Sequence, residues 1–133
     1  MDTQALYHAL KNATRQAFED LCRRHAGEHF YGFALYSNDV GQYLYPTANT
    51  EEALRQHYGR RVDPGEEPQL RWFYPGDWRY CQEGAEQFVS VQEILDQFDP
   101  YSKAVSDEEV TAHAQAVFRT CEQVLQDLSR SAG

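Results

Sequence analysis

The spacing of apolar residues predicts an amphipathic helix near each end of the chain. Over residues 4–26 apolar side chains recur at helical intervals, and Gly27 follows as a stop signal. Over residues 106–128 the same interval recurs, and Ser106 with Glu109 has the spacing of a capping box. Both helices are therefore expected to turn one apolar face towards a common core.

Between these helices the pattern changes to short aromatic and apolar runs that are typical of strands. Residues 29–36 predict a buried strand, a turn follows around Gly41, and residues 42–47 predict the returning strand of a hairpin. Residues 69–74 predict a third strand. The sequence therefore predicts a single α+β domain of 133 residues. In it, a small antiparallel sheet, made of the hairpin and at least one further strand, packs against the N-terminal and C-terminal helices.

Two shorter helices are predicted between the strands and the last helix. Residues 49–52 combine a capping side chain with two acidic residues, so a short helix is expected to begin there and to end at Gly59. Ser90 and Glu93 have the spacing of a second capping box, which predicts a helix to about residue 98.

The chain carries a formal net charge of −9, and all of the acidic excess lies after Arg61. Residues 62–133 hold fourteen acidic and five basic side chains, whereas residues 1–61 are balanced. Nucleic acids and anionic membranes require a cationic face, so neither is expected as a partner. The acidic half is expected to attract a cationic protein over long range, although a solvated surface gives the same asymmetry.

Five aromatic residues lie within residues 72–80, next to the acidic part of the chain. Such a cluster serves as core where it is buried and as a set of interface anchors where it is exposed. We expect the second role, with four anchors and four acidic residues that steer a basic partner. The anchors are Trp72, Tyr74, Asp77 and Trp78, and the steering residues are Glu83, Glu86, Glu93 and Asp96.

No spacing of residues predicts a catalytic centre, a cofactor or a metal site. Cys22, His25 and His29 have ligand-like spacing, but zinc requires a second pair of ligands and Cys22 falls on the apolar stripe of the first helix.

The three cysteines are scattered, and Cys81 is expected to be the least buried of them. Free thiols suit a reducing compartment, and residues 1–4 lack a signal sequence. A cytoplasmic, non-enzymatic protein without a cofactor is therefore expected.

A second hypothesis is a small-molecule-binding protein or a hydrolase. Its polar pocket would gather Asn49, Glu51, Glu52 and Asp77. Helix capping is the favoured explanation of the residues from Asn49 to Glu52. A deep pocket that holds these groups would favour this hypothesis, and a flat acidic face would favour a protein partner.

Four short segments, taken in order, resemble the bacterial family of unknown function DUF4303. They are residues 28–36, 48–52, 71–72 and 77–78, and the similarity extends from the first helix to about Phe118. The resemblance implies a cytoplasmic bacterial α+β protein with no assigned catalytic residues. Small acidic domains of this type are often encoded beside toxins, so it also implies an immunity protein that occludes a basic toxin domain.

The end of the sequence departs from this family pattern. Members continue past the last helix into a glycine-rich turn and a further strand, whereas this sequence stops at Gly133. We therefore expect an exposed sheet edge. Such an edge would suit a third hypothesis, a structural adaptor in a larger assembly.

Overall fold

Two long helices and two short ones surround a two-stranded hairpin. The computed structural model describes residues 1–132. Gly133, on which the expectation about the end of the sequence depends, lies outside the described residues. Three short 3-10 turns lie between the second and third helices. In chain order the elements are α1 (Thr3–Arg24), β1 (Phe30–Tyr36), β2 (Tyr45–Thr50), α2 (Glu51–Tyr58), the 3-10 turns Pro68–Leu70, Pro75–Asp77 and Ala85–Phe88, α3 (Val89–Leu95) and α4 (Asp107–Ala132). The predicted α+β class is confirmed.

The larger part of the core lies where α1, α3 and α4 meet. Leu6 and Leu10 of α1 are fully buried, and Val117 and Val124 of α4 belong to the same apolar cluster. Val91 of α3 completes this contact. The helical spacing of these residues thus predicts the faces that pack together.

Side-chain caps fix the starts of two helices where the sequence predicts them. Ser106 Oγ accepts a hydrogen bond from the Glu109 amide at 3.1 Å, and the Glu109 carboxylate accepts one from the Ser106 amide at 3.3 Å. Thr50 Oγ1 accepts from the Ala53 amide at 3.1 Å and caps α2, which ends at Gly59 with φ of +70°. Both predicted helices are confirmed.

The predicted hairpin is confirmed, but its second strand begins later than expected. β1 and β2 are antiparallel, with Tyr36 opposite Tyr45 and Phe30 opposite Thr50. Residues 38–42 instead form a turn, in which the Asn38 side chain accepts from the Gln42 amide at 2.9 Å. This turn docks on α4, so residues 42–44 do not enter the ladder.

The two faces of the hairpin have different coverings. On the inner face Phe33 packs against Phe18 of α1, with ring centroids 4.4 Å apart. On the outer face Gly32 is covered by the rings of Trp72 and Trp78. α1 therefore lies on one face of the hairpin, and residues 71–80, which we call the aromatic loop, cover part of the other.

The third predicted strand, residues 69–74, is wrong. The amides of Arg71 and Trp72 both donate to the Pro68 carbonyl, at 3.0 and 2.9 Å, so this segment coils upon itself. Proline at the first position of a 3-10 turn supplies the required backbone angle. Over residues 1–132 the sheet therefore contains the hairpin strands alone.

The outer edge of β2 is covered at two positions by residues 80–82. The Tyr80 amide donates to the Ala48 carbonyl at 3.1 Å, and the Gln82 amide donates to the Pro46 carbonyl at 2.9 Å. Two ladder positions are thus satisfied by a segment that is not itself a strand.

The capping box predicted at Ser90 does not form. The 3-10 turn Ala85–Phe88 continues directly into α3, so Ser90 is already inside the helix and Phe88 occupies the cap position. α3 also ends at Leu95, three residues before the predicted end.

Over the described residues, no helix combines the length and apolar character needed to cross a membrane.

Candidate partner-binding surface

The aromatic loop, residues 71–80, lies across the outer face of the hairpin because Gly32 leaves room for it. A Cβ atom at Gly32 would lie 2.9 Å from the Trp72 ring and 3.0 Å from the Trp78 ring. The same two rings flank Tyr31, with centroid distances of 5.7 and 6.0 Å. Close approach to a glycine thus positions both tryptophans.

Three of the four predicted anchors are exposed. Trp72 and Tyr74 are 53% and 63% exposed, and Asp77 is exposed beside them. The assignment of Trp78 as an anchor is corrected: it is 3% exposed, because its ring fills the space between Tyr31 and Trp72. Trp78 therefore supports the surface from below.

Three tyrosines, which sequence reasoning missed as site residues, form a second aromatic cluster near the turn of the hairpin. Tyr36 lies 5.6 Å from Tyr45, and Tyr45 lies 4.9 Å from Tyr43, measured between ring centroids. Burial raises the pKa of Tyr36 to about 12, and the hydrogen bond to Cys81 and the proximity of Tyr74 add to the increase. Tyr74 of the aromatic loop thus acts electrostatically on this tyrosine cluster.

A groove separates the tyrosine cluster from α3. We call it the tyrosine groove; it has a volume of about 490 Å³. Tyr43 and Tyr45 form one wall, and Val89, Gln92 and Asp96 of α3 form the other. The α3 residues share one helix face because they are spaced three and four positions apart. Gln92 Nε2 donates to the Gln42 carbonyl at 2.9 Å and to Asp96 Oδ1 at 2.8 Å, which ties the walls together.

The four predicted steering residues divide into two unlike pairs. Glu83 Oε2 lies 2.8 Å from His25 Nε2 and 4.0 Å from an Arg24 nitrogen. Glu86 lies 3.6 Å from the other terminal nitrogen of Arg24, so this arginine offsets part of the charge of both carboxylates. Glu93 is exposed on α3, and Asp96 is exposed at the end of α3, where it lines the tyrosine groove. Of the four predicted steering residues, the structure thus places Asp96 alone in the wall of the groove.

The residues of the predicted polar pocket are not gathered in one place. Asn49 is 1% exposed; its Nδ2 donates to the Tyr31 hydroxyl at 2.7 Å, and its Oδ1 accepts from the Arg79 amide at 3.3 Å. Glu51 pairs with Arg71 through two contacts of 2.5 and 2.9 Å. Asp77 lies on the aromatic loop, which contains none of the other three residues. Because Asn49 is buried and hydrogen-bonded within the chain, its role is structural.

Glu51 and Glu52 do line a cavity, of about 560 Å³, together with Arg71 and His29. His29 Nδ1 lies 2.5 Å from the Glu52 carboxylate, and the His29 amide also donates to it. These bonds lower the pKa of Glu52 to about 2 and raise that of His29. Both carboxylates thus already have cationic partners within the chain.

Glu28 is the centre of a polar network that sequence reasoning missed. Its carboxylate accepts from Thr50 Oγ1 at 2.7 Å, from Arg79 Nη1 at 3.0 Å and from the Tyr80 hydroxyl. Burial acts to raise the pKa of Glu28, but the hydrogen bonds from Tyr80 and Thr50 and the charge of Arg79 lower it. The network joins the connection between α1 and β1, the end of β2 and the aromatic loop, and no local spacing signals it.

The cysteines and histidines of the described residues do not form a metal site. Cys22 is exposed, so its assignment to the apolar face of α1 is wrong, and Cys81 is not the least buried thiol: its Sγ lies 3.2 Å from the Tyr36 hydroxyl. Burial raises the pKa of Cys121 to about 12. Among residues 1–132 no three ligand-type side chains come together as a metal site.

Comparison with known proteins connects the chain to one family. The family model described as a domain of unknown function, DUF4303, matches residues 10–132. No curated protein and no solved structure matches the chain.

Proposed function

The chain belongs to the DUF4303 family of domains of unknown function, and we propose that it is a non-enzymatic binding protein of the bacterial cytoplasm. Its partner is a protein with a basic surface. In its most specific form the proposal is an immunity protein that neutralises a toxin domain by occluding it.

The observation that carries the proposal is the exposure of Trp72 and Tyr74 on the aromatic loop. Each leaves more than half of its side chain in contact with solvent. Large aromatic side chains are enriched among the residues that dominate binding energy at protein interfaces. Covering them with a partner would remove this apolar area from water.

The charge beside the aromatic surface supports a basic partner. Asp77 is exposed on the aromatic loop, Asp96 is exposed in the wall of the tyrosine groove, and Glu93 is exposed on α3. Carboxylates at the rim of an interface accelerate association with a cationic protein and contribute less to the final affinity. The acidic excess of residues 62–133 extends the same attraction over a longer distance.

The test measures association with a purified basic protein encoded beside this chain. In the double variant Glu93→Lys and Asp96→Lys, we expect the association rate to fall about tenfold at low salt and to depend less on ionic strength. Glu122→Lys provides a control, because Glu122 is an exposed acidic residue of α4 outside this surface.

The anchors are tested separately through dissociation. Trp72→Ala and Tyr74→Ala are each expected to increase the dissociation rate by about tenfold, since both side chains would be buried in the complex. A complex whose association and dissociation rates are unchanged by all of these variants would contradict the proposed surface. Failure of every neighbouring basic protein to bind would contradict the proposed function itself.

A further inference from the structure

We propose that the tyrosine groove receives an arginine side chain of the basic partner. This inference rests on the proposed function, and it assigns a chemical class of ligand to one part of the surface. Three features of the groove support it: the two tyrosine faces, the carboxylate opposite them and the apolar floor between them.

The tyrosine wall brings two aromatic rings within reach of a planar cation in the groove. Tyr43 and Tyr45 are half-buried, and their rings lie 4.9 Å apart with an interplanar angle of 31°. A guanidinium group is attracted to the face of a tyrosine ring and also stacks on it, because the group is planar and weakly hydrated. An ammonium group lacks this flat geometry, so the wall favours arginine over lysine.

The opposite wall holds a carboxylate in a fixed position. Asp96 Oδ1 accepts a hydrogen bond from Gln92 Nε2, and the same amide group donates to the Gln42 carbonyl across the groove. A carboxylate presents two oxygen atoms, which match the parallel N–H groups of a guanidinium. Gln92 is thus a positioning residue for Asp96.

The remaining lining is neutral and partly apolar. Of the nine described residues that line the groove, Asp96 alone carries a charge. Leu44 and Phe88 are buried in its floor, and Val89 is 60% exposed at its rim. Such a floor suits the methylene stem of an arginine, which packs on apolar surface while its head group reaches a carboxylate.

The chain already uses this combination of partners for one of its own arginines. Arg71 Cζ lies 5.0 Å from the centre of the Tyr31 ring, and its guanidinium makes two contacts with the Glu51 carboxylate. That internal site pairs a tyrosine face with an acidic side chain, as the tyrosine groove does. In the groove, the place of the arginine is open to a partner.

The experiment titrates the full chain with the peptide acetyl-Gly-Arg-Gly-amide and observes tyrosine ring and backbone amide resonances by NMR. We expect saturable shifts at Tyr43, Tyr45 and Asp96 at millimolar peptide. The citrulline peptide is nearly isosteric but uncharged, so it should produce no saturable shift, and the lysine peptide should bind several-fold more weakly.

Two variants and one matched control assign the binding to the groove. Asp96→Asn should raise the dissociation constant about fivefold, and Tyr43→Leu should raise it about threefold. Glu122→Gln removes one exposed charge on α4 and should leave it unchanged. Well-dispersed amide spectra establish that each variant is folded.

Several outcomes would overturn the inference. They are the absence of saturable shifts, equal affinity for the citrulline or lysine peptide, and equal loss in Asp96→Asn and Glu122→Gln. Each of these leaves the proposed function standing, provided that the charge-reversal variants still slow association with the basic protein. Conversely, the peptide can bind as expected although no neighbouring protein does, so the two failures are distinguishable.

Discussion

The packing of the 3-10 turn Ala85–Phe88 on α1 depends on Gly84, and replacing this residue by alanine should strongly destabilise the fold. Gly84 has φ of +91° and precedes the 3-10 turn that leads into α3. A Cβ atom there would lie 2.9 Å from Ala17 Cβ and 3.4 Å from Ala17 Cα. Ala17 is fully buried on α1, so the helix backbone cannot easily move away.

The size of the effect follows from two separate terms. A left-handed backbone conformation costs an alanine about 1–2 kcal/mol. Overpacking against a rigid neighbour costs about 1–3 kcal/mol. Gly84→Ala should therefore lower the free energy of unfolding by about 2–5 kcal/mol, if the two terms add.

Two other glycines separate these terms experimentally. Gly59 has φ of +70° but open space around it, so Gly59→Ala should show the backbone term alone, about 1–2 kcal/mol. Gly27 has neither a positive φ nor a close neighbour, and Gly27→Ala should change stability by less than about 0.5 kcal/mol. Urea unfolding followed by tryptophan fluorescence measures all three. If Gly84→Ala costs no more than Gly59→Ala, the close contact with α1 is refuted.

Three further predictions test the caps, the aromatic loop and one ion pair. Ser106→Ala should cost about 1 kcal/mol in unfolding free energy, whereas Ser90→Ala should cost less than about 0.5 kcal/mol, because only the first serine is a cap. Trp78→Ala should cost about 3–5 kcal/mol by the same urea assay, since its ring is buried; a value near that of an exposed residue would contradict this packing. The His29–Glu52 pair should stabilise the fold most between pH 4.5 and pH 6.5, the ordinary pKa values of its members. His29, whose pKa is raised, loses its proton in the folded protein only as the pH rises above this window, and Glu52, whose pKa is lowered, gains one only as the pH falls towards about 2. The loss of unfolding free energy in His29→Gln, measured by urea unfolding at a series of pH values, should therefore be smallest outside the window.

Features of the fold that depend on local chemistry could be predicted from the sequence. The cap at Ser106, the helix stop at Gly59 and the helical spacing of α1 and α4 each involve residues a few positions apart. Their energies are intrinsic to the segment, so distant parts of the chain have little influence on them.

Predictions failed where a local pattern competed with a distant contact. Residues 69–74 are apolar and aromatic like a strand, but Arg71 is held by Glu51 and the Val62 carbonyl, and Trp72 by the space above Gly32. Ser90 has the spacing of a cap, yet the preceding 3-10 turn supplies the helix start. The local signal at these positions is worth about 1 kcal/mol, which several tertiary contacts outweigh.

The candidate surface could likewise be predicted only in part: its exposed rings were predicted, and the residues that support them were not. The unpredicted part affects how the surface would bind a partner. The sequence indicates the exposed rings, such as Trp72, but not the support beneath them. Trp72 lies on Tyr31, whose hydroxyl donates to the Arg71 carbonyl at 2.9 Å and accepts from Asn49 at 2.7 Å. A partner would therefore meet a ring that is already ordered, and little conformational entropy would be lost on binding. Buried polar residues such as Asn49 thus act on the proposed interface without touching the partner.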